Sequence, residues 1–165
     1  MTSAYDIQAG IQKHGLVVLK SCQMHDGYLG ATTCGFTEHG LPELICVGID
    51  PRHIHPWMNV TFHKMVIEKS QIPGPFDNDD WFTMKMRVVA ADREIARPYA
   101  RATEEYYAGS GKVPQYMQMA WPDAQGKFPW EGGFSKKFRC RQPNLRPRLE
   151  LVTDIIPDLS SARGF

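Results

Sequence analysis

The stretch Gln118–Phe134, Q-M-A-W-P-D-A-Q-G-K-F-P-W-E-G-G-F, constrains the fold of this chain more than any other. Pro122-Asp123 followed by Gly126 is turn chemistry: proline presets φ, aspartate bonds to nearby backbone and glycine supplies the unusual φ. Trp121, Phe128 and Trp130 add an aromatic cluster, and Tyr116–Trp121 reads as the strand that feeds the loop. Two readings follow. The loop packs on itself and closes the core, or Trp121 and Trp130 wall a pocket to which Asp123 and Glu131 bring carboxylates. Pockets are apolar with a few placed polar groups, and two carboxylates in unlike environments can divide acid and base work.

Upstream, Ser3 caps a helix with Asp6 near its positive end, Ile7 and Ile11 share a face, and Gly15 ends it. Leu16–Lys20, Tyr28–Phe36 and Glu43–Ile49 read as strands, with an Asp26-Gly27 turn between the first two. Such a run predicts an antiparallel meander with the third strand central. Asp50-Pro51 is a helix start, and Met58, Phe62, Met65 and Val66 recur at helical spacing. The helix is expected to reach Lys69, with a kink or restart at Pro56. Gln71–Asp80 is a Pro/Gly/Asp-rich loop. Trp81–Ala91 alternates as a strand with Phe82, Met84, Met86 and Val88 on one face. Ala96–Ala108 reads as a helix carrying Tyr99, Thr103, Tyr106 and Tyr107 on one face, and Ser110–Pro114 as a loop. Leu149–Val152 fits a last strand and Ile155–Phe165 a tail.

A chain of 165 residues suits one domain with a self-sufficient core. We therefore expect a single domain over 1–165, with an N-terminal helix in 1–15 and a C-terminal extension or tail in 142–165. The formal net charge of +1 argues against a nucleic-acid partner or a membrane surface, which usually demand a basic excess. No apolar run reaches the roughly 20 residues that span a bilayer. The first residues lack the basic-then-apolar pattern of a signal peptide. Cysteines at 22, 34, 46 and 140 form no C-x-x-C, so the expected location is the cytoplasm, with reduced thiols.

Other chemistry-bearing groups are sparse. His53, His55 and His63 cluster, but not at the i, i+4 spacing of helical metal sites, and no metal is expected. With Glu43 or Asp50 a carboxylate–histidine site is conceivable, and His55 is its best candidate. Cys34 and Cys46 lie on neighbouring strands without a base, as buried structural thiols do. The basic run Lys136–Arg141, with Arg146 and Arg148, reads as solvated surface. Dinucleotide, P-loop and serine-hydrolase motifs are absent.

Two groups of segments resemble one family. The first comprises H-G-L-V-V from His14, T-T-C-G-F from Thr32, G-L-P-E-L from Gly40 and D-P-R-H-I-H from Asp50. The second is the Gln118–Phe134 stretch. Together they are similar to the bacterial Domain of Unknown Function 4262 family, which pairs a T-x-G-L and G-H-P-E-L region with a W-P-D-x-x-G-x-F-P-W loop. The resemblance runs from about His14 to Phe134 and includes Thr33, Glu43, His55, Gln118, Trp121, Asp123 and Trp130. Leu41 stands where the family has histidine, and Phe36 where it has leucine. The resemblance implies no reaction. A looser likeness in strand order is to flavin-reductase-like split barrels, which would bind FMN around Thr32, Thr33 and Thr37.

The expected fold is α+β: a mainly antiparallel sheet, with a barrel-like curl as one form, covered by two principal helices, Asp50–Lys69 and Ala96–Ala108. The leading functional expectation is a small-molecule pocket near the Trp-Pro-Asp/Phe-Pro-Trp loop. Its expected catalytic residues are His55, Glu43 and Asp123, and its ligand-binding residues Thr33, Gln118, Trp121 and Trp130. The alternatives are a protein-interaction module of immunity or regulatory type and an FMN-binding split barrel. Either a small ligand or a protein partner fits, as does an oligomer.

Overall fold

The structure, a computed structural model, describes residues 3–21, 24–70 and 85–147. Helix α1 (Ala4–His14) begins with a capping box: the Ser3 hydroxyl accepts from the Asp6 amide, and the Asp6 carboxylate accepts from the Ser3 amide at 3.0 Å. Gly15, in the left-handed conformation, ends it. Strands β1 (Val17–Ser21), β2 (Gly30–Cys34) and β3 (Glu43–Val47) form the antiparallel meander that the sequence pattern implies. Asp26, at φ 59, takes the strained turn position between the first two.

Helix α2 (Pro51–Phe62) starts where Asp50-Pro51 places it, with the Asp50 side chain accepting from the Arg52 amide. It runs through Pro56 as one helix rather than restarting there. The bond that proline forfeits belongs to the carbonyl of Arg52, an exposed residue, so the loss falls on the solvent side. Beyond Phe62 the chain widens into a π-helical turn (His63–Ile67), and Lys69 adopts a positive φ of 52°. The helix therefore stops short of the expected Lys69.

The Gln71–Asp80 loop lies outside the described residues, as do Phe82 and Met84. The described part of the next strand, β4, is Arg87–Ala90. The expected helix Ala96–Ala108 is broken into α3 (Arg93–Ala96), a 3-10 turn (Arg97–Ala100) and α4 (Arg101–Ala108). Pro98 accounts for the break, because it has no amide to continue the ladder. Asp92 moves the start upstream by accepting from the Glu94 and Ile95 amides. Strand β5 (Tyr116–Ala120) and a single turn, α5 (Lys136–Arg139), follow among the described residues. The 149–152 and 155–165 segments are outside the described residues.

The fold is α+β. Its five-stranded sheet has the order β1-β2-β3-β5-β4, antiparallel except where β5 lies parallel to β3. It is open, so the barrel-like form is not adopted. Burial is achieved by layers instead. Leu44 and Cys46 of β3 pack with Ile54, Met58 and Phe62 of α2, while Ile45 and Val47 pack with Ala96 and Ala100 on the other face. Helices α1 and α4 add Ile7 and Tyr107 around Cys34. With both faces covered, β3 reads as a continuous apolar run rather than an alternation. No helix among the described residues is long and apolar enough to cross a membrane.

Candidate functional site

The Trp-Pro-Asp loop is organised by one carboxylate. Asp123 Oδ1 accepts from the amides of Gln125 (2.9 Å) and Lys127 (3.0 Å), and Oδ2 accepts from the Ser135 amide (2.9 Å). Burial works to raise the Asp123 pKa, but the amides of Lys127, Ser135 and Gln125 outweigh it and hold the carboxyl below its ordinary value. Glu131 ties the other half of the loop, accepting from the Phe128 amide at 2.6 Å. Both carboxylates that sequence reasoning considered for acid–base work thus serve the backbone of their own loop.

The Phe-Pro-Trp half forms a layered stack. Phe128 and Trp130 lie with ring centroids 5.3 Å apart and planes 14° from parallel. The Arg87 guanidinium sits 4.4 Å from the Phe128 centroid, and that of Arg146 sits 4.9 Å from the Trp130 centroid. Trp130 is engaged by these neighbours.

Trp121 occupies the end of β5 and is held at three points. Its indole N–H donates to the Val47 carbonyl at 2.9 Å. The Gln142 side-chain amide accepts from the Trp121 backbone N–H (2.9 Å) and donates to its carbonyl (2.7 Å), copying the pairing of a neighbouring strand. Gln118, buried on β5, does the same one step along: it donates to the Pro143 carbonyl at 2.7 Å and accepts from the Leu145 amide at 2.9 Å. Two glutamines therefore fasten residues 142–145 to the body, and Leu145 is fully buried.

A groove of about 590 Å³ opens where β3 and β5 end, between Trp121 and the start of α2. Trp57, Trp121 and Phe138 give it aromatic walls, with Ile49 and Pro56 beside them. Trp121 and Phe138 meet edge to face at 5.6 Å. Gly48 shapes the floor: at φ +89, a Cβ there would lie 2.1 Å from the Arg141 carbonyl oxygen and 3.0 Å from the Trp121 ring. The polar lining residues are Asp50, Arg52, His53 and Arg141. Asp50 is bound by the Arg52 side chain (2.6 Å at its shortest) and by the Arg52 amide, which hold its carboxyl well below the usual range.

Glu43 and Thr33 belong to a separate cluster at the opposite end of the sheet. Glu43 is fully buried and accepts from the Thr33 hydroxyl (2.7 Å), the Gly35 and Thr37 amides (3.1 and 2.8 Å) and the Tyr107 hydroxyl (2.9 Å). Burial pushes its pKa up; the bonds from Thr33, Thr37 and Tyr107 act in the opposite direction without cancelling it. Glu43 pairs with Tyr116 at the start of β5, so Trp121 lies roughly 16 Å further along at ~3.3 Å per residue. His55, half-buried on α2, covers the other face of the sheet; burial and then Lys20 push its pKa down. Glu43, His55 and Asp123 thus occupy three different places.

Of the expected ligand-binding residues, Trp121 lines the groove, while Thr33, Gln118 and Trp130 hold the fold as described. Thr32, Thr33 and Thr37 do not share one open face for FMN: the first two hydroxyls are engaged within the fold, and Thr37 lines a separate cavity with Leu41, Lys112 and Gln115. The Thr32 hydroxyl is paired with that of Thr103 at 3.1 Å, Thr33 with Glu43, and the sheet is not a barrel. Sequence reasoning missed Gly48, Trp57, Phe138 and Arg141 as groove residues. The only signals were Trp57 close to His55 and Arg141 within the basic run. Cys34 and Cys46 are buried thiols, and burial pushes Cys34 up to about 12.

Comparisons with curated proteins and with solved structures find no match. The family described as Domain of unknown function (DUF4262) matches residues 10–135. That range holds the whole sheet, α2 and the Trp-Pro-Asp loop, and the chain belongs to this family.

Proposed function

We propose that this domain binds a small, flat, predominantly apolar molecule in the groove between Trp121 and α2. The observation that carries this reading is the combination of volume and lining. About 590 Å³ falls within the roughly 300–1,000 Å³ of small-molecule sites, and the walls are three aromatic side chains from separate segments. Trp121 is fixed by its bonds to Val47 and Gln142, so one wall is pre-organised, which lowers the ordering cost of binding. The position also suits a ligand site, because β3 and β5 run parallel and the groove lies beyond their carboxyl ends.

The test combines native mass spectrometry of gently purified protein with ligand-observed NMR against a set of flat aromatic fragments. Wild-type protein should retain or bind such a compound. Trp57→Ala removes a half-buried wall and should weaken binding by roughly tenfold or more while leaving the protein folded. Unchanged binding in that variant, or no binding by any fragment, would sink the reading.

A further inference from the structure

The charges around the groove do not balance, and the imbalance sits on one residue. Asp50 and Arg52 neutralise each other through the side-chain bonds already described. Arg141 also lines the groove, and its guanidinium takes part in no hydrogen bond, ion pair or ring contact among the described residues. It is not a loosely placed surface cation at the backbone level. The Arg141 amide donates to the Phe138 carbonyl at 2.9 Å, its carbonyl lies against Gly48, and the next residue, Gln142, is locked to Trp121 by two bonds. Among the described residues, Arg141 thus sets one positive charge without an acidic partner beside an apolar, aromatic-walled groove.

Resting on the reading that the groove binds a small molecule, we propose that its ligand is an aromatic acid: a flat ring system against Trp57, Trp121 and Phe138, with its carboxylate on the Arg141 guanidinium. Arg141 is exposed, so its guanidinium stands in water at the rim of the groove: a neutral apolar ligand gains nothing from it, whereas a carboxylate gains charge-assisted, two-pronged hydrogen bonds. The groove's volume of about 590 Å³ lies within the roughly 300–1,000 Å³ of small-molecule sites, which favours a small acid over an acidic protein surface. Arg141 and Phe138 lie beyond the 10–135 family match, so the anion preference would come from a segment outside that match.

The full-length chain is titrated calorimetrically with 2-naphthoate and with its uncharged counterpart, 2-naphthamide. Wild-type protein should bind the carboxylate roughly tenfold more tightly than the amide. Arg141→Gln should bring the ratio of carboxylate to amide affinity to about one. Arg139→Gln removes the same charge from an exposed residue outside the groove and should leave the preference intact. Equal binding of the two probes by wild-type protein overturns the aromatic-acid assignment and leaves the groove reading standing. Loss of the preference in both arginine variants, or in neither, overturns the assignment to Arg141. If neither probe binds at millimolar concentration, this inference and the groove reading fall together.

Discussion

Two carboxyl groups show how environment sets the work of a residue. Glu43 is buried without a cation beside it, and its folded pKa lies above the ordinary value of 4.5. Its stabilising contribution is therefore fully present below the ordinary value and is lost as pH rises through the folded one. Glu43→Gln should remove this dependence, so that the wild type loses stability relative to the variant as pH climbs from about 4.5. Urea midpoints measured across pH check it, and parallel curves would refute the assignment. Glu43→Ala strands the Thr33, Gly35, Thr37 and Tyr107 donors and should cost about 3–5 kcal/mol. Asp123 behaves in the opposite sense. Its pKa is held below the ordinary 3.8, so its contribution is present above that value and lost as pH falls through the folded pKa. Thermal melts should show wild type more stable than Asp123→Asn at neutral pH, with the gap closing in acid.

At the level of elements, the unusual device is a pair of glutamines that act as strand fragments. Gln118 and Gln142 each supply one donor and one acceptor to a backbone that lacks a strand neighbour there. Gln142→Glu replaces the donor with an oxygen facing the Trp121 carbonyl. It should cost about 2–4 kcal/mol, more than Gln142→Ala at about 1–3 kcal/mol, as read from chemical denaturation. The reverse order would mean that the side-chain pairing contributes little. Local patterns marked most element starts correctly, because caps and turns act over a few residues: Ser3, Asp26-Gly27 and Asp50-Pro51 all hold. Pro98 misled the reading because its ring is compatible with an early helical position and with a 3-10 turn alike. In the fold its missing amide breaks the ladder, and Ala96 and Ala100 on either side of it are buried in one cluster with Val47.

At the scale of the molecule, burial sorts the thiols of the described residues. Cys34 and Cys46 lie in the two faces of the sheet, whereas Cys140 is exposed beside α5. An alkylating reagent should label Cys140 in the native protein within minutes, and Cys34 and Cys46 only after denaturant unfolds the sheet; peptide mapping reads the order. Early labelling of either buried thiol would contradict the layered core. The sequence by itself determined the α+β class, the meander, the start of α2 and the turn at Pro122-Asp123. Each of these is written in residues that are near neighbours along the chain, so local propensity and hydrophobic period suffice. It also marked the Trp-Pro-Asp loop as distinctive. Tertiary structure alone decided that β5 slots between β3 and β4, parallel to β3, and that the sheet stays open. It alone separated Glu43, His55 and Asp123, and gathered Gly48, Trp57, Trp121, Phe138 and Arg141 around one groove. Those outcomes depend on which distant segments pair and which faces cover one another, and no periodicity along the chain encodes that choice.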